Sequence, residues 1–179
     1  MRQYEVKEEG MLKKLDKLEE ALNKGAIFIT AAAFVVIVAL ISLNVVSRYI
    51  FLKSFNWAEE VAYLCFNWVV FLGVTIVYRY QGLTAIDLVV NRLHGPVKKA
   101  VLVLGYLLVV LTNLGLIVWG TKFSIQAWAR KSPSLLIPYF FYDISIPVAG
   151  VLLFVYSLRF MIKAVRGEDV EGAALEDRV

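Results

Sequence analysis

The chain carries a single cysteine, Cys65, and a single histidine, His94. One thiol excludes an intrachain disulfide, a Cys-x-x-Cys redox pair and a thiolate zinc site, and one imidazole excludes bis-histidine haem ligation. Charge is scarce as well, at 19% of the 179 residues, where soluble domains carry about 25%. Four windows, residues 26–46, 61–78, 100–120 and 144–158, contain no Asp, Glu, Lys, Arg or His. No Ser-His-Asp set, metal cluster or cofactor pair can be drawn from what is left, and the chain reads as a non-enzyme. What is abundant is apolar: 60% of the residues are hydrophobic and the mean hydropathy is +0.69. Soluble domains reach about 45–50% apolar, so this excess does not fit inside one modest core.

Each bilayer crossing takes roughly 20 apolar residues, and the four windows therefore predict an all-α integral membrane protein with four transmembrane helices. The membrane domain is expected over residues 25–166, with spans at about 26–50, 57–80, 98–121 and 141–163. Residues 1–24 are too polar and too mixed in charge for the short basic region of a signal peptide, so the first span reads as a retained anchor. The tail, 167–179, is acidic and lacks an apolar stripe, which is the composition of a disordered segment.

The formal charge of +4 and pI of about 9.1 need not point to nucleic acid, because loop asymmetry in a membrane protein produces the same total. With four spans, both termini share a side with the second loop. That side holds 14 of the 19 Lys and Arg residues; the other holds Arg48, Lys53, Lys122, Arg130 and Lys131. Both termini are therefore expected in the cytoplasm and the two outer loops in the periplasm.

Two amphipathic pieces fall on the cytoplasmic side. Met11, Leu15, Leu18 and Leu22 recur at helical spacing, as in an interfacial helix. Residues 84–94 begin on a capping-box pattern from Thr84 to Asp87, carry a stripe of Ile86, Val89, Val90 and Leu93, and end at Gly95-Pro96. Eleven residues give about 16 Å of helix, too short to span, so this piece should lie along the inner surface. The alternative for both is a helix packed on its own bundle.

Glu59 and Glu60 open the second span beside Trp57, and Arg48 closes the first from the same side. Adjacent helical residues diverge by about 100°, so the two carboxylates do not converge on one ion or one proton. The expected role is an ion pair between Arg48 and one of them, or partner docking. Asp143 is expected to cap the fourth span, and the aromatic stretch from Leu136 to Tyr142, framed by Pro138 and Pro147, to form an interfacial belt, a short re-entrant turn or a partner surface. Trp57, Trp119 and Trp128 sit where belt anchors belong, whereas Trp68 falls inside the second span and should pack against lipid or a neighbouring protein. Asn44, Asn67, Thr75, Thr112 and Asn113 are expected to hydrogen-bond between helices. His94 reads as a surface histidine and Cys65 as a small core residue.

Arg48-Tyr49-Ile50-Phe51, followed by Trp57-Ala58-Glu59-Glu60, then Phe71-Leu72-Gly73, the segment from Asp87 to Leu93, Ile137-Pro138, and Pro147 with Gly150, form an ordered set. Over roughly residues 26 to 162 the chain resembles the small membrane subunit of tripartite ATP-independent periplasmic (TRAP) transporters, the DctQ family. It departs at Leu83, where family members often have a His before the cytoplasmic Asp segment.

The resemblance implies a scaffold in the bacterial inner membrane, serving a sodium-coupled secondary transporter of organic acids such as sialic acid or a C4-dicarboxylate. Its implied partners are a large DctM-type membrane subunit, which would bind the sodium, and a periplasmic DctP-type substrate-binding protein. No cofactor, catalytic residue or nucleic acid is expected on this chain. Arg48, Trp57, Glu59, Glu60, Asp87, Pro138, Asp143 and Pro147 are the structural or partner-contact candidates. Lys53, Lys122, Arg130 and Lys131 are the candidates for docking the binding protein. The alternative is a self-sufficient four-span channel or small exporter, with a pore built from Asn and Thr across subunits.

Overall fold

The computed structural model describes residues 2–81 and 96–166, with side chains from Glu19 onward except those of Gln81, Pro96, Lys163 and Arg166. Helix α1 runs over Arg2–Phe51 and α2 over Asn56–Gln81. Helix α3 spans Pro96–Gln126 and passes into a 3₁₀ turn at Ala127–Ala129. A single turn, α4 (Phe140–Asp143), precedes α5 (Ser145–Arg166). Four stretches are long and apolar enough to cross a membrane: Glu19–Phe51, Asn56–Tyr80, Val97–Ala129 and Phe140–Ile162. The chain is thus an all-helical, four-span membrane protein. The expected surface helix at 84–94, with Asp87 and His94, and the tail at 167–179 lie outside the described residues.

Two boundaries depart from the sequence reading. The N-terminal segment and the first span are one uninterrupted 50-residue helix that passes through Gly25 without a break. At about 75 Å this rod cannot both lie in the membrane plane and cross it. The third span continues past Lys122 by more than a turn. Thr121 Oγ1 and Ser124 Oγ return to Ile117 O (2.6 Å) and Gly120 O (2.7 Å) of the same helix, so these polar residues do not stop it, and a Lys on a long apolar stem can snorkel.

The helices assemble as two antiparallel pairs, α1 with α2 and α3 with α5, joined where α2 meets α5. In α1 the buried or half-buried residues are Glu19, Asn23, Ala26, Thr30, Ala33, Ile37, Leu40, Asn44 and Ser47, and every other residue from Glu20 to Phe51 is exposed. The intervals alternate four and three, a strict heptad over four repeats, which is the seam of a left-handed helix pair. Apart from Ile37 and Leu40 the seam is made of small and polar side chains, and α2 answers it with the buried Ala58 and Ala62. In lipid no hydrophobic force drives two helices together, so close backbone approach and internal hydrogen bonds decide which face turns inward. The bulky residues of α1, such as Phe28 and Phe34, point outward.

The second pair has a fuller core. Tyr106, Tyr156, Phe160 and Ala164 pack with Tyr78 of α2, the Phe160 ring edge-on to Tyr78 (5.8 Å) and stacked on Tyr106 (6.0 Å). Buried Asn113 donates to Ser157 Oγ (3.1 Å). Gly150 lets α5 reach α3 closely: a Cβ there would lie 3.2 Å from Ile117 Cγ1.

Candidate functional site

Polar side chains gather at the two ends of the bundle. The loop end, where α1 turns into α2 and α3 into α4, carries most of the residues singled out in the sequence. Leu52, in left-handed conformation (φ 55°), makes the turn after α1. Asn44 fixes it: its amide donates to Glu59 Oε1 (2.9 Å), and its carbonyl oxygen accepts from the Phe55 N–H (2.8 Å). Ser47 Oγ adds a bond to Lys53 O (2.9 Å).

Glu60 binds the other way, across 74 residues of sequence. Its two oxygens accept from the backbone N–H groups of Ser134 (2.7 Å) and Leu135 (2.8 Å), while Tyr142 donates its hydroxyl to the Glu60 carbonyl (3.3 Å). The donating loop is a narrow hairpin closed by an antiparallel bridge between Lys131 and Pro138, with Leu136 in left-handed conformation (φ 57°) near its tip. Its backbone bonds are Ser132 N to Ile137 O and Tyr139 N to Arg130 O, both 2.9 Å. A carboxylate on exposed loop amides is a charge-assisted contact, and here it ties the first helical pair to the second.

The two glutamates therefore diverge as their spacing requires, but neither takes Arg48. Among the described residues no ion pair joins Arg48 to Glu59 or Glu60, because Asn44 and the hairpin amides hold the carboxylates first. Asp143 is likewise not a cap. It pairs with Arg130 at 3.7 Å, and the Arg130 guanidinium also lies 5.7 Å from the ring centres of both Phe123 and Tyr139. Arg130 is thus engaged within its own chain, whereas Lys53, Lys122 and Lys131 are exposed and make no ion pair among the described residues. Trp57 is half-exposed and lies near Phe55 (6.1 Å between ring centres). Pro147 packs where Gly120 leaves room for its ring. Trp68 is half-buried, and its indole donates to Phe141 O (3.1 Å).

The opposite end holds a constellation that the sequence reading missed. Glu19, 5% exposed, accepts from Arg159 Nη1 at 2.5 Å, and Asn23 donates to Tyr80 OH (3.0 Å). These contacts tie the start of the first span to the ends of the fourth and second. Leu22, from the stripe expected on an interfacial helix, is exposed, while Glu19 and Asn23 are buried. The signal was present: extending the seam back from Ala26 in steps of three and four lands on Asn23 and then on Glu19. Of the five polar residues expected as interhelical links, Asn44 and Asn113 fill that role. Asn67, Thr75 and Thr112 instead bond to carbonyls of their own helices.

Among the described residues no group of three or more His, Cys, Asp or Glu side chains is placed to hold a metal ion. Among the described residues the arrangement is a set of braces at the two ends of an apolar bundle. The family described as "Tripartite ATP-independent periplasmic transporters, DctQ component" matches residues 37–167, well over half of the chain.

The chain belongs to the DctQ family.

A DctQ protein is a TRAP transporter component and not an enzyme. This one is 21% identical over 147 residues to a putative TRAP transporter small permease protein of Haemophilus influenzae, covering 82% of this chain and 89% of that one. It is also 34% identical over 88 residues to the sialic acid TRAP transporter permease protein SiaT of Haemophilus influenzae. That match covers 49% of this chain and 13% of the much longer SiaT chain. This DctQ protein is accordingly the small permease subunit of a TRAP transporter, a multi-pass membrane protein that works with a large membrane subunit.

Proposed function

We propose that this DctQ subunit is the stationary scaffold of a sodium-coupled TRAP transporter for an organic acid in the bacterial inner membrane. It holds the large subunit side-on through α1 and presents its loop end to the periplasmic substrate-binding protein. The observation that carries the reading is where polar groups sit. Transporters that move ions or acids place ionisable groups or broken helices near mid-membrane. Here the charged side chains lie at the two ends, the four apolar windows hold no Asp, Glu, Lys, Arg or His, and Thr75, Thr112 and Asn113 are spent on bonds within and between helices.

Helix α1 supports the partner assignment. Only 6% of its apolar window is buried inside the chain, against 39% for the fourth span, so its bulky flanks are available to another helical protein. The match to a short part of the longer SiaT permease is in keeping with a small subunit that works against a large one. The sialic acid in that relative's name makes a sialic acid or another organic anion the substrate class to test. Both termini are assigned to the cytoplasm, from the Lys and Arg distribution.

The test is reconstitution of the chain in liposomes, alone and with its large subunit, under a sodium gradient and with loaded binding protein. Uptake is expected only when all parts are present. Sodium-driven uptake by the small chain alone would overturn the scaffold reading in favour of a self-sufficient transporter.

A further inference from the structure

A cleft of about 260 Å³ opens between α1 and α2 at the loop end. Arg48 and Glu59 both line it, with Leu40, Ile41 and Val45 below them. Arg48 lies just beyond the 26–46 apolar window and is exposed, which puts its guanidinium at headgroup depth. Leu40 is eight residues earlier on the same helix, about 12 Å deeper at 1.5 Å per residue. The cleft therefore changes from charged to apolar along the membrane normal, the profile of a phospholipid and not of a soluble ligand.

The charges are arranged for a zwitterion. Arg48 and Glu59 share the cleft without an ion pair between them. Asn44 holds one oxygen of Glu59, and the other oxygen has no hydrogen-bond partner among the described residues. An opposite pair held apart in one cleft, at the level where water gives way to lipid, suits a ligand carrying both a phosphate and a primary ammonium. We propose that the α1–α2 cleft is a binding site for a phospholipid of the phosphatidylethanolamine type. Its phosphate sits on Arg48, its ammonium on Glu59, and the first methylenes of one acyl chain lie against Leu40, Ile41 and Val45. A bound lipid would fill the groove between the two helices and brace the first hairpin from its membrane side.

The test uses the full chain purified in mild detergent and native mass spectrometry with added phosphatidylethanolamine or phosphatidylglycerol. The wild-type chain is expected to retain phosphatidylethanolamine at least about tenfold better than phosphatidylglycerol, as a second charge-assisted contact provides. Arg48→Gln should lower retention of both lipids by about tenfold, and Arg48→Lys should restore most of it. Glu59→Gln should abolish the preference between the two lipids. Circular dichroism establishes that each variant is helical; should a variant fail to fold, the wild-type preference decides alone. Equal retention of the two lipids by the wild-type chain, or unchanged retention by folded Arg48→Gln, overturns the proposal. So does cross-linking that places a side chain of the large subunit in the cleft while lipid is not retained.

Discussion

Glu60 carries much of the architecture at the loop end, because both of its carboxylate oxygens accept from the backbone of the loop between Lys131 and Pro138. In the Glu60→Ala variant the Ser134 and Leu135 N–H groups lose their acceptor, and their amide hydrogen exchange should accelerate by about tenfold while exchange in mid-helix stays unchanged. Hydrogen exchange with mass spectrometry checks this; unchanged protection would mean that the bridge between Lys131 and Pro138 holds the loop unaided. The docking candidates separate at the same scale. Reversing Arg130 would set a second carboxylate beside Asp143, so a loss of uptake there would report misfolding as readily as docking. Lys53 and Lys131 are the cleaner probes. The double variant Lys53→Glu, Lys131→Glu should raise the concentration of binding protein needed for half-maximal uptake by roughly three- to tenfold at low salt. The difference should shrink as ionic strength rises, and uptake titrated with binding protein at two salt concentrations measures both.

At the scale of elements, α1 shows what was legible in the sequence and what was not. Four charge-free windows announced the four spans, since insertion into lipid depends on composition that a sequence displays directly. The rotational setting of α1 was not legible from Met11, Leu15, Leu18 and Leu22, whose stripe marks an inward face only if apolar residues turn inward. That rule belongs to helices surrounded by water; in lipid the small and polar residues turn inward, as Ala26, Thr30 and Ala33 do. Arg48, Glu59 and Glu60 were recognised as a group, yet their pairing was missed. It depends on Asn44 and on a loop more than 70 residues away in sequence. Glu19 and Arg159 escaped notice because each was seen only as one more terminal charge. Arg159→Met should lower stability by roughly 2–3 kcal/mol, somewhat below the usual cost of orphaning one member of a buried pair, because Arg159 is one-third exposed. Adding Glu19→Gln should recover much of that loss. Thermal melts of the two single variants and the double variant in one detergent complete the cycle, and strict additivity would show that the pair is not coupled.

For the whole molecule, the directly checkable property is its sidedness. Replacing the lone Cys65 with Ser gives a cysteine-free background in one step, into which Ser54→Cys, Ser134→Cys or Lys24→Cys can be placed singly. In intact spheroplasts a membrane-impermeant maleimide should label the Ser54 and Ser134 sites and spare the Lys24 site; the reverse pattern would invert the assigned topology. The seam of α1 links the two sides so distinguished. From Glu19 to Ser47 it covers four heptads, about 42 Å of helix, close to the thickness of a bilayer with its headgroups. The partners of Glu19 and Asn23 on one surface and those of Asn44 and Ser47 on the other are consequently set by a single angular phase. One extra alanine near Val35 would leave the hydropathy profile almost untouched, yet turn one end by about 100° against the other, so that only one membrane surface at a time could keep its contacts. Seven extra residues would restore the phase but lengthen the rod by about 10 Å. For this helix, length and rotation are both inherited constraints, and a reading of hydrophobicity alone detects neither.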